Sequence, residues 1–206
     1  MNVTLLIIII TCIVSYLCFE NRALFDKLKH HPVSESKGEW HRMVTSGFIH
    51  ANYMHLGFNM YVLYGFGNYV EGLFLQYFGT SMGRLVYLLL YLAMIIIADI
   101  PSFIKNKNNY GYSAIGASGA VSGILFIYIF LDPWGTLQLF FAIDIYAIIF
   151  GVLYLIYSSW ASKNANDNIG HDAHFYGAIS GIVLTAILLP ETIGNFAHQF
   201  TTGIPF

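Results

Sequence analysis

The chain has 206 residues, of which 57% are hydrophobic and only 10% are charged, with a formal net charge of −2 at pH 7. So few charged residues cannot cover a soluble globule of this size, and the nearly neutral balance excludes a nucleic-acid binder that relies on a basic surface. The composition therefore indicates an all-α membrane protein, with residues 1–206 forming a single polytopic domain.

Six apolar segments follow one another along the chain. Each is long enough, as a helix, to cross or nearly cross a hydrocarbon core of about 30 Å. They cover residues 3–19, 53–74, 84–103, 114–131, 137–160 and 173–190. Short polar stretches separate them, apart from a longer first loop that runs from Glu20 to Arg42. The sequence thus predicts a bundle of six transmembrane helices.

Strongly polar residues interrupt the apolar pattern at the starts of the second, fourth and sixth segments. The second follows His50 and carries His55 and Asn59, the fourth carries Ser118, and the sixth carries His174. Alternate helices cross a membrane in the same sense, so these three helix starts lie on one face. Because polar groups are costly in a bilayer, their common depth predicts a functional site there.

Ser118 belongs to the small-residue stretch of the fourth segment, between Gly116 and Gly119. If the helix begins near Ser113, a rise of about 1.5 Å per residue places Ser118 about 6–8 Å below the helix start, within reach of a water-filled cavity. The glycines leave the hydroxyl open to a substrate, which favours a nucleophile. Small residues of this kind also serve simply to pack two membrane helices.

Two Gly-xxx-Gly patterns provide a way to bring Ser118 close to His174. They lie at residues 119–123 on the fourth helix and 177–181 on the sixth. Such small-residue faces let two helix backbones approach closely. His174 shares the glycine face of its helix, because spacings of three and four residues fall on one side. The pattern predicts a serine–histidine dyad.

These motifs resemble those of the rhomboid intramembrane serine proteases. The similarity runs from about Trp40 to Leu189, with the blocks His50-Ala-Asn-Tyr-Met-His-Leu-Gly-Phe-Asn59, Gly116-Ala-Ser-Gly119 and His174-Phe-Tyr-Gly-Ala-Ile-Ser-Gly181 in the family's order. The resemblance implies a six-transmembrane-helix rhomboid-like bundle that cleaves peptide bonds in or near the transmembrane segments of other membrane proteins. It implies no cofactor and no metal, and its partners would be substrate transmembrane segments and the lipid bilayer.

By this resemblance Ser118 is the nucleophile and His174 the general base. A neutral imidazole suits that role, since a hydroxyl needs a base to take its proton as it attacks. The resemblance also implies that His55, Asn59 and the Ser118 backbone N–H hold the oxyanion. His55 and Asn59 are four residues apart, so they share one helical face.

Three further positions are compared with the family. Arg42 matches the arginine of a first-loop Trp-Arg motif, and Glu71 matches an acidic residue at the far end of the second helix. Ser122 stands where the family often has an aromatic ring against the catalytic imidazole. If stacking holds His174 in place, another residue must supply the ring.

Other ionisable residues receive structural interpretations. Asp144 lies inside the fifth apolar segment, where we expect a protonated or hydrogen-bonded carboxyl group. We expect Asp99 to be interfacial, at the end of the third helix. His30 and His31 are interpreted as first-loop residues.

Two other functions are compatible with the sequence. His50, His55, His171 and His174 suggest a metal site, because imidazole is the commonest zinc ligand, but a metal site leaves Ser118 and its glycines unexplained. Alternatively, the chain is a non-catalytic rhomboid-like membrane protein that binds transmembrane helices. Retention of both dyad residues argues against that function.

The charge distribution and the resemblance imply opposite orientations. Eight of the nine Lys and Arg residues lie in the first, third and fifth loops, and Arg84 lies on the other side. The positive-inside rule therefore puts the active-site face in the cytoplasm, whereas the resemblance implies that it faces outward. In either orientation we expect a multi-pass protein of a bacterial inner or plasma membrane.

Overall fold

A computed structural model of the protein describes residues 2–139, 142–165 and 169–204. Most of these residues are helical, and the remaining regular structure is one antiparallel pair of strands. The helices are α1 (Val3–Glu20), α2 (Arg22–Leu28), α3 (Pro32–Glu35), α4 (Arg42–Thr45), α5 (Tyr53–Phe78), α6 (Thr80–Asn106), α7 (Ser118–Leu131), α8 (Ala147–Asn164), α9 (His171–Leu188) and α10 (Glu191–Thr202), with a 3-10 turn at Ser46–Phe48. The strands are β1 (Thr136–Leu139) and β2 (Ile143–Tyr146).

The helices α1, α5, α6 and α9 lie where the sequence predicts membrane segments, with ends shifted by at most four residues. Within the described part of the chain, α1 and α6 are long and apolar enough to cross a membrane. A third span results if α9 and α10, which are bent by 116°, are counted as one. The largely helical architecture is confirmed, and the number of six crossings stays a prediction.

The prediction of one helix over the fifth segment, residues 137–160, is wrong over residues 137–139 and 143–146. There the chain forms β1 and β2, and α8 begins only at Ala147. Residues 140 and 141 of this segment lie outside the described part. Apolar and polar residues alternate in the sequences of both strands, a period of two that is typical of strands. We expected Asp144 within a membrane helix, but it lies in β2, pairs with Gln138 and is exposed.

The helix α7 lies at the centre of the bundle. It packs against α5, α6, α8 and α9, and every residue from Gly119 to Ile127 is buried. A helix that is apolar on every face is typical of such a surrounded position. The residue at the start of α7 is therefore held by a buried helix that is packed on several sides.

The two Gly-xxx-Gly patterns form a close contact between α7 and α9, which we call the glycine seam (Gly119, Gly123, Gly177 and Gly181). A Cβ atom on Gly177 would overlap the carbonyl oxygen of Gly119, and one on Gly181 would overlap the carbonyl oxygen of Gly123. Only glycine permits this approach of two backbones. The predicted packing of these two helices is confirmed.

Glu71 ties α5 to the beginning of α1. Its carboxylate accepts hydrogen bonds from the N–H groups of Val3 and Thr4 and from the Thr4 hydroxyl, each at 2.8 Å. These backbone groups belong to the first helical turn, where N–H groups lack partners within the helix. The acidic residue predicted at the far end of the second helix thus caps α1.

Candidate active site

Ser118 is the first residue of α7, at the point where a loop turns into the central helix. The prediction of a helix starting near residue 114, with Ser118 below its start, is wrong. Gly116 has a φ of 116°, a left-handed conformation that prevents a helix from running through it. As the first helical residue, Ser118 has a backbone N–H without a partner inside the helix. Its hydroxyl and its N–H are both presented at the helix end.

His55 lies beside Ser118, across Gly116. A Cβ atom on Gly116 would be 2.8 Å from Cε1 and 3.0 Å from Nε2 of His55, and 3.8 Å from the Oγ of Ser118. The imidazole and the hydroxyl therefore border the same space, which only glycine leaves open. Asn52 caps the first turn of α5 by accepting a hydrogen bond of 2.9 Å from the His55 N–H.

His50 is fully buried and supports the loop before Ser118. Its Nε2 accepts a hydrogen bond of 3.3 Å from the N–H of Ala117, and its Nδ1 lies 3.0 Å from the Oγ of Ser15. Because that hydroxyl donates to the carbonyl of Phe48, His50 donates from Nδ1 and is neutral. Burial, and to a lesser extent the nearby His55, lowers the pKa of His50 to about 3.

His174 lies in the first turn of α9 and contacts an aromatic ring from α8. The ring of Tyr154 stacks on its imidazole, with centroids 6.3 Å apart and 28° between the planes. The Tyr154 hydroxyl forms a hydrogen bond of 2.5 Å with the hydroxyl of Ser122. Tyr154 therefore supplies the aromatic ring that Ser122 cannot provide. The hydroxyl of Ser122 binds the hydroxyl of Tyr154.

The starts of α7 and α9 lie against each other. Gly170 and Ala173, which precede His174, line the same cavity of about 30 Å³ as Ser118. The carbonyl oxygen of Ala173 would be 3.4 Å from a Cβ atom on Gly119. The structure thus brings together the two helix starts that carry the predicted dyad, while proton transfer between Ser118 and His174 stays a prediction.

Asn59 is buried on α5, one turn after His55. Its side-chain amide donates a hydrogen bond of 2.9 Å to the backbone carbonyl of His55. An amide carries two N–H bonds, so this contact leaves one for a second acceptor. The predicted oxyanion role of Asn59 stays a prediction.

The histidines do not converge on one point. Within residues 2–139, 142–165 and 169–204, no three His, Cys, Asp or Glu side chains form a group that could hold a metal ion. Both ring nitrogens of His50 are engaged by Ala117 and Ser15, and His171 meets His174 edge to face at 6.0 Å. The histidine metal site considered from the sequence is not formed in the described part of the chain.

A family model described as Rhomboid domain matches residues 37–191, well over half of the chain. The chain belongs to the rhomboid family. Membership in this family and the apolar helices make it a membrane protein.

Several named rhomboids are similar in sequence. RHOMBOID-like protein 12, mitochondrial, of Arabidopsis thaliana is 31% identical over 150 residues, which cover 68% of this chain and 44% of that protein. Putative rhomboid protease YdcA of Bacillus subtilis is 26% identical over 166 residues, covering 81% and 76% of the two chains. Rhomboid protease GluP of the same bacterium is 28% identical over 178 residues, covering 82% and 30%. The chain thus spans less than half of two of these relatives.

In this rhomboid, Arg42 is a buried residue of the first loop and binds other parts of that loop. Its guanidinium donates to Glu39 at 2.8 Å and forms an ion pair with it at 2.7 Å. It also donates to the backbone carbonyls of Asp26 at 2.7 Å and Lys29 at 3.1 Å. The residue that matches the first-loop motif thus holds the fold of the loop.

Three residues near the site of this rhomboid were not recognised from the sequence. Tyr154 is one of several aromatic residues in its apolar segment, and only the packing of α8 on α9 distinguishes it. His30, interpreted as an ordinary loop residue, is fully buried. Asp99, expected at the interface, is buried and lines the cavity beside Ser118. The burial of His30 and Asp99, like the contact of Tyr154 with His174, depends on the packing of distant segments, which no local pattern signals.

Proposed function

We propose that this rhomboid is an intramembrane serine endopeptidase that uses Ser118 and His174 to hydrolyse peptide bonds in or near transmembrane segments of other membrane proteins. The observation that supports this most is the position of Ser118. It begins the buried central helix, faces His55 across Gly116, and lies at the helix start that packs against the start of α9. Helix packing alone requires no hydroxyl at this place.

In the first step the Ser118 Oγ attacks the scissile carbonyl carbon, and His174 takes the hydroxyl proton as a neutral base. A C–O bond forms, and the carbonyl electron pair moves onto the oxygen. The Ser118 N–H, His55 and the second amide N–H of Asn59 donate to this oxyanion. The hydrogen bonds from these donors strengthen as negative charge develops on the oxygen.

In the second step the tetrahedral intermediate collapses and the C–N bond breaks. His174 gives its proton to the leaving amine, and Ser118 keeps the acyl group as an ester. A water molecule then attacks the ester as His174 accepts its proton, and Ser118 regains its hydrogen when the acid leaves. Stacking on Tyr154 keeps the imidazole in one orientation through both transfers.

The substrates we expect are transmembrane segments that unwind easily. A peptide bond inside a regular helix is shielded by side chains and tied by its hydrogen bonds, so the helix must open before attack. Gly or Pro near the cut would favour opening. By analogy with the family, a small residue should precede the cut. A bacterial inner or plasma membrane stays a prediction, since the similar proteins include one named as mitochondrial.

The test uses the purified protein with a fluorophosphonate probe and a panel of single-span substrates, with fragments identified by mass spectrometry. We expect labelling at Ser118 and cleavage, both unaffected by a metal chelator and both absent in Ser118→Ala. A non-catalytic rhomboid-like protein would leave the serine unlabelled and the substrates intact. Loss of cleavage on chelation would instead indicate a metal-dependent hydrolase.

A further inference from the structure

A cluster of buried polar side chains, unused by the proposed mechanism, joins the first loop to α6. His30 and Glu35 are fully buried, with Nδ1 of His30 2.7 Å from Oε1 of Glu35. The Nε2 of His30 lies 2.8 Å from the Oγ of Ser102. Asp99 places Oδ2 3.9 Å from the His30 Nδ1 and accepts a hydrogen bond of 3.1 Å from Ser46. We call these five residues the His30 cluster.

Both ring nitrogens of His30 have a partner within this cluster. The Oε1 of Glu35, which also accepts from the backbone N–H of His31 at 3.0 Å, lies against the Nδ1 of His30. The Ser102 hydroxyl, which lies 2.9 Å from the carbonyl of Asp99, meets the Nε2 of His30 on the other side. The imidazole is thus fixed at one edge by the first loop, through Glu35, and at the other edge by α6, through Ser102.

The same part of the first loop is paired with the loop before the nucleophile. His30 and Ala114 form an isolated antiparallel bridge with N–H···O distances of 3.0 Å in both directions. The N–H of Gly116 donates to the carbonyl of Ser46 at 2.9 Å. Two members of the His30 cluster therefore hold the backbone at the positions four and two residues before Ser118.

A buried polar group that loses its hydrogen-bond partner costs free energy, so this set of contacts favours one arrangement of the chain. Glu35 belongs to the same loop as His30 and orients its ring, whereas Ser102 gives the ring a partner on α6. The first loop can therefore settle on α6 only where the ring of His30 meets Ser102. That position of His30 then determines where Ala114 lies.

We propose that His30, oriented by Glu35 and bonded to Ser102, is a clamp that seats the first loop on α6 and thereby positions residues 116–118 for catalysis. The inference rests on the proposed function and makes His30 and Glu35 positioning residues, which act through Ala114 and do not touch substrate. Without the clamp, the Ser118 hydroxyl and N–H shift relative to His55. A misplacement of about 1 Å is enough to lower a rate about 100-fold.

The test compares Glu35→Gln with the double variant His30→Gln/Glu35→Gln. Glu35→Gln puts an N–H2 group where the buried Oε2 of Glu35 has no hydrogen-bond partner among the described residues. We expect fluorophosphonate labelling of Ser118 to slow about 10-fold or more, with kcat falling equally and KM little changed. The double variant places two amides side by side that can bond to each other, and most of the labelling rate should return. His41→Gln and Glu20→Gln, at exposed positions, are the matched controls and should label like wild type.

Hydrogen exchange provides a readout that does not depend on activity. The N–H groups of Ala114 and Gly116 should exchange faster in Glu35→Gln than in wild type and in both controls. If Glu35→Gln does not fold, Ser102→Ala takes its place, because it removes the bond of His30 to α6 and keeps the contact of His30 with Glu35. It should slow labelling several-fold.

The outcomes separate the clamp from the proposed function. A wild-type protein that neither labels nor cleaves contradicts the proposed function, and hydrogen exchange then still tests the clamp. If Glu35→Gln labels and exchanges at the same rates as the wild type, the clamp is wrong and the proposed function is unaffected. A lower melting temperature with an unchanged labelling rate per folded molecule also overturns it, because the pair would then serve stability only.

Discussion

The ring of Tyr154 lies nearly parallel to the imidazole of His174, with 6.3 Å between the centroids and 28° between the planes. The Tyr154 hydroxyl bonds to Ser122 on α7, while the ring itself belongs to α8 and faces α9. One side chain thus links the three helices around the proposed base. The orientation of the imidazole depends on the packing of α8.

Replacing Tyr154 by leucine should lower kcat about 10-fold with little change in KM, because the imidazole loses its preferred orientation for proton transfer. Tyr154→Phe keeps the ring and loses only the bond to Ser122, so its kcat should lie closer to wild type. Steady-state cleavage of a single-span substrate measures both. Tyr16→Leu, at an exposed position on α1, is the control. Wild-type kcat in Tyr154→Leu would remove the ring from the mechanism.

Ser118→Ala and His174→Ala should each abolish cleavage and leave the protein folded, and the double variant should be no worse than either. Residues that act as one chemical unit show this non-additivity. Single-turnover cleavage and a melting curve on each preparation test the prediction. Ordinary turnover in Ser118→Ala would show that another group is the nucleophile.

Asn59→Ala should lower kcat about 100-fold or more, equivalent to about 3 kcal/mol, if its second N–H donates to the oxyanion. KM should change little, since the interaction strengthens only as charge develops. The variant also loses the bond to the His55 carbonyl, which should cost about 1 kcal/mol of unfolding free energy. Turnover and melting temperature measured on one preparation separate the two effects. A destabilised variant with undiminished turnover would exclude Asn59 from the oxyanion site.

The buried His50 should make the protein less stable in acid. Its pKa is about 3 in the folded protein against 6.5 in the unfolded chain, so below about pH 6.5 the unfolded state binds the proton more readily. The contribution of neutral His50 to the free energy of unfolding is complete above that pH. It is lost as the pH falls toward 3, by at most about 1.4 kcal/mol per pH unit.

Melting temperatures measured from about pH 7 down to about pH 4 test this prediction. His50→Gln keeps an acceptor for the Ala117 N–H but has no proton to gain, so its stability should fall less steeply than that of wild type. The difference between the two curves isolates His50 from the other titrating groups. Parallel curves would contradict a neutral, buried His50.

Six membrane crossings would place Asn106 and Asn166 on one side and Gly135 on the other. Asn166 lies outside the described residues, so this prediction rests on the sequence. Single cysteines at the three positions, in a chain without Cys12 and Cys18, can be tested with an impermeant maleimide on intact cells. The cysteines at positions 106 and 166 should be accessible from the same side of the membrane, and the cysteine at position 135 from the other side. Labelling of Asn106 and Asn166 from opposite sides would refute the six-helix count.

The sequence was sufficient for features that depend on long, uninterrupted runs. An apolar run such as that of α1 has few structural alternatives, so its bounds follow from hydropathy. Ser118 and His174 are predicted as a dyad because a hydroxyl and an imidazole stand out among apolar residues and glycines, and that role stays a prediction. The contact between α7 and α9 followed from the spacing of their small residues.

The features that the sequence did not reveal depend on backbone dihedral angles or on contacts between distant segments. Gly116 reads as one more small residue, and only its left-handed φ shows that α7 cannot begin before it. Asp144 lies in a segment that is as apolar as a membrane helix. The alternation of apolar and polar residues around it covers only a few positions, so it does not stand out as a strand. His30 is polar and far from Ser102 in sequence, so nothing near it signals that both become buried together.

The glycine seam limits how a peptide can reach Ser118. Side chains swing aside to admit a ligand, but α7 and α9 touch through backbone atoms at two successive turns, which cannot yield in that way. We therefore expect the two helices to move together, and a substrate peptide of the proposed protease to pass between some other pair of helices. Whichever helix gives way to it, the starts of α7 and α9, which carry Ser118 and His174, should then stay beside each other.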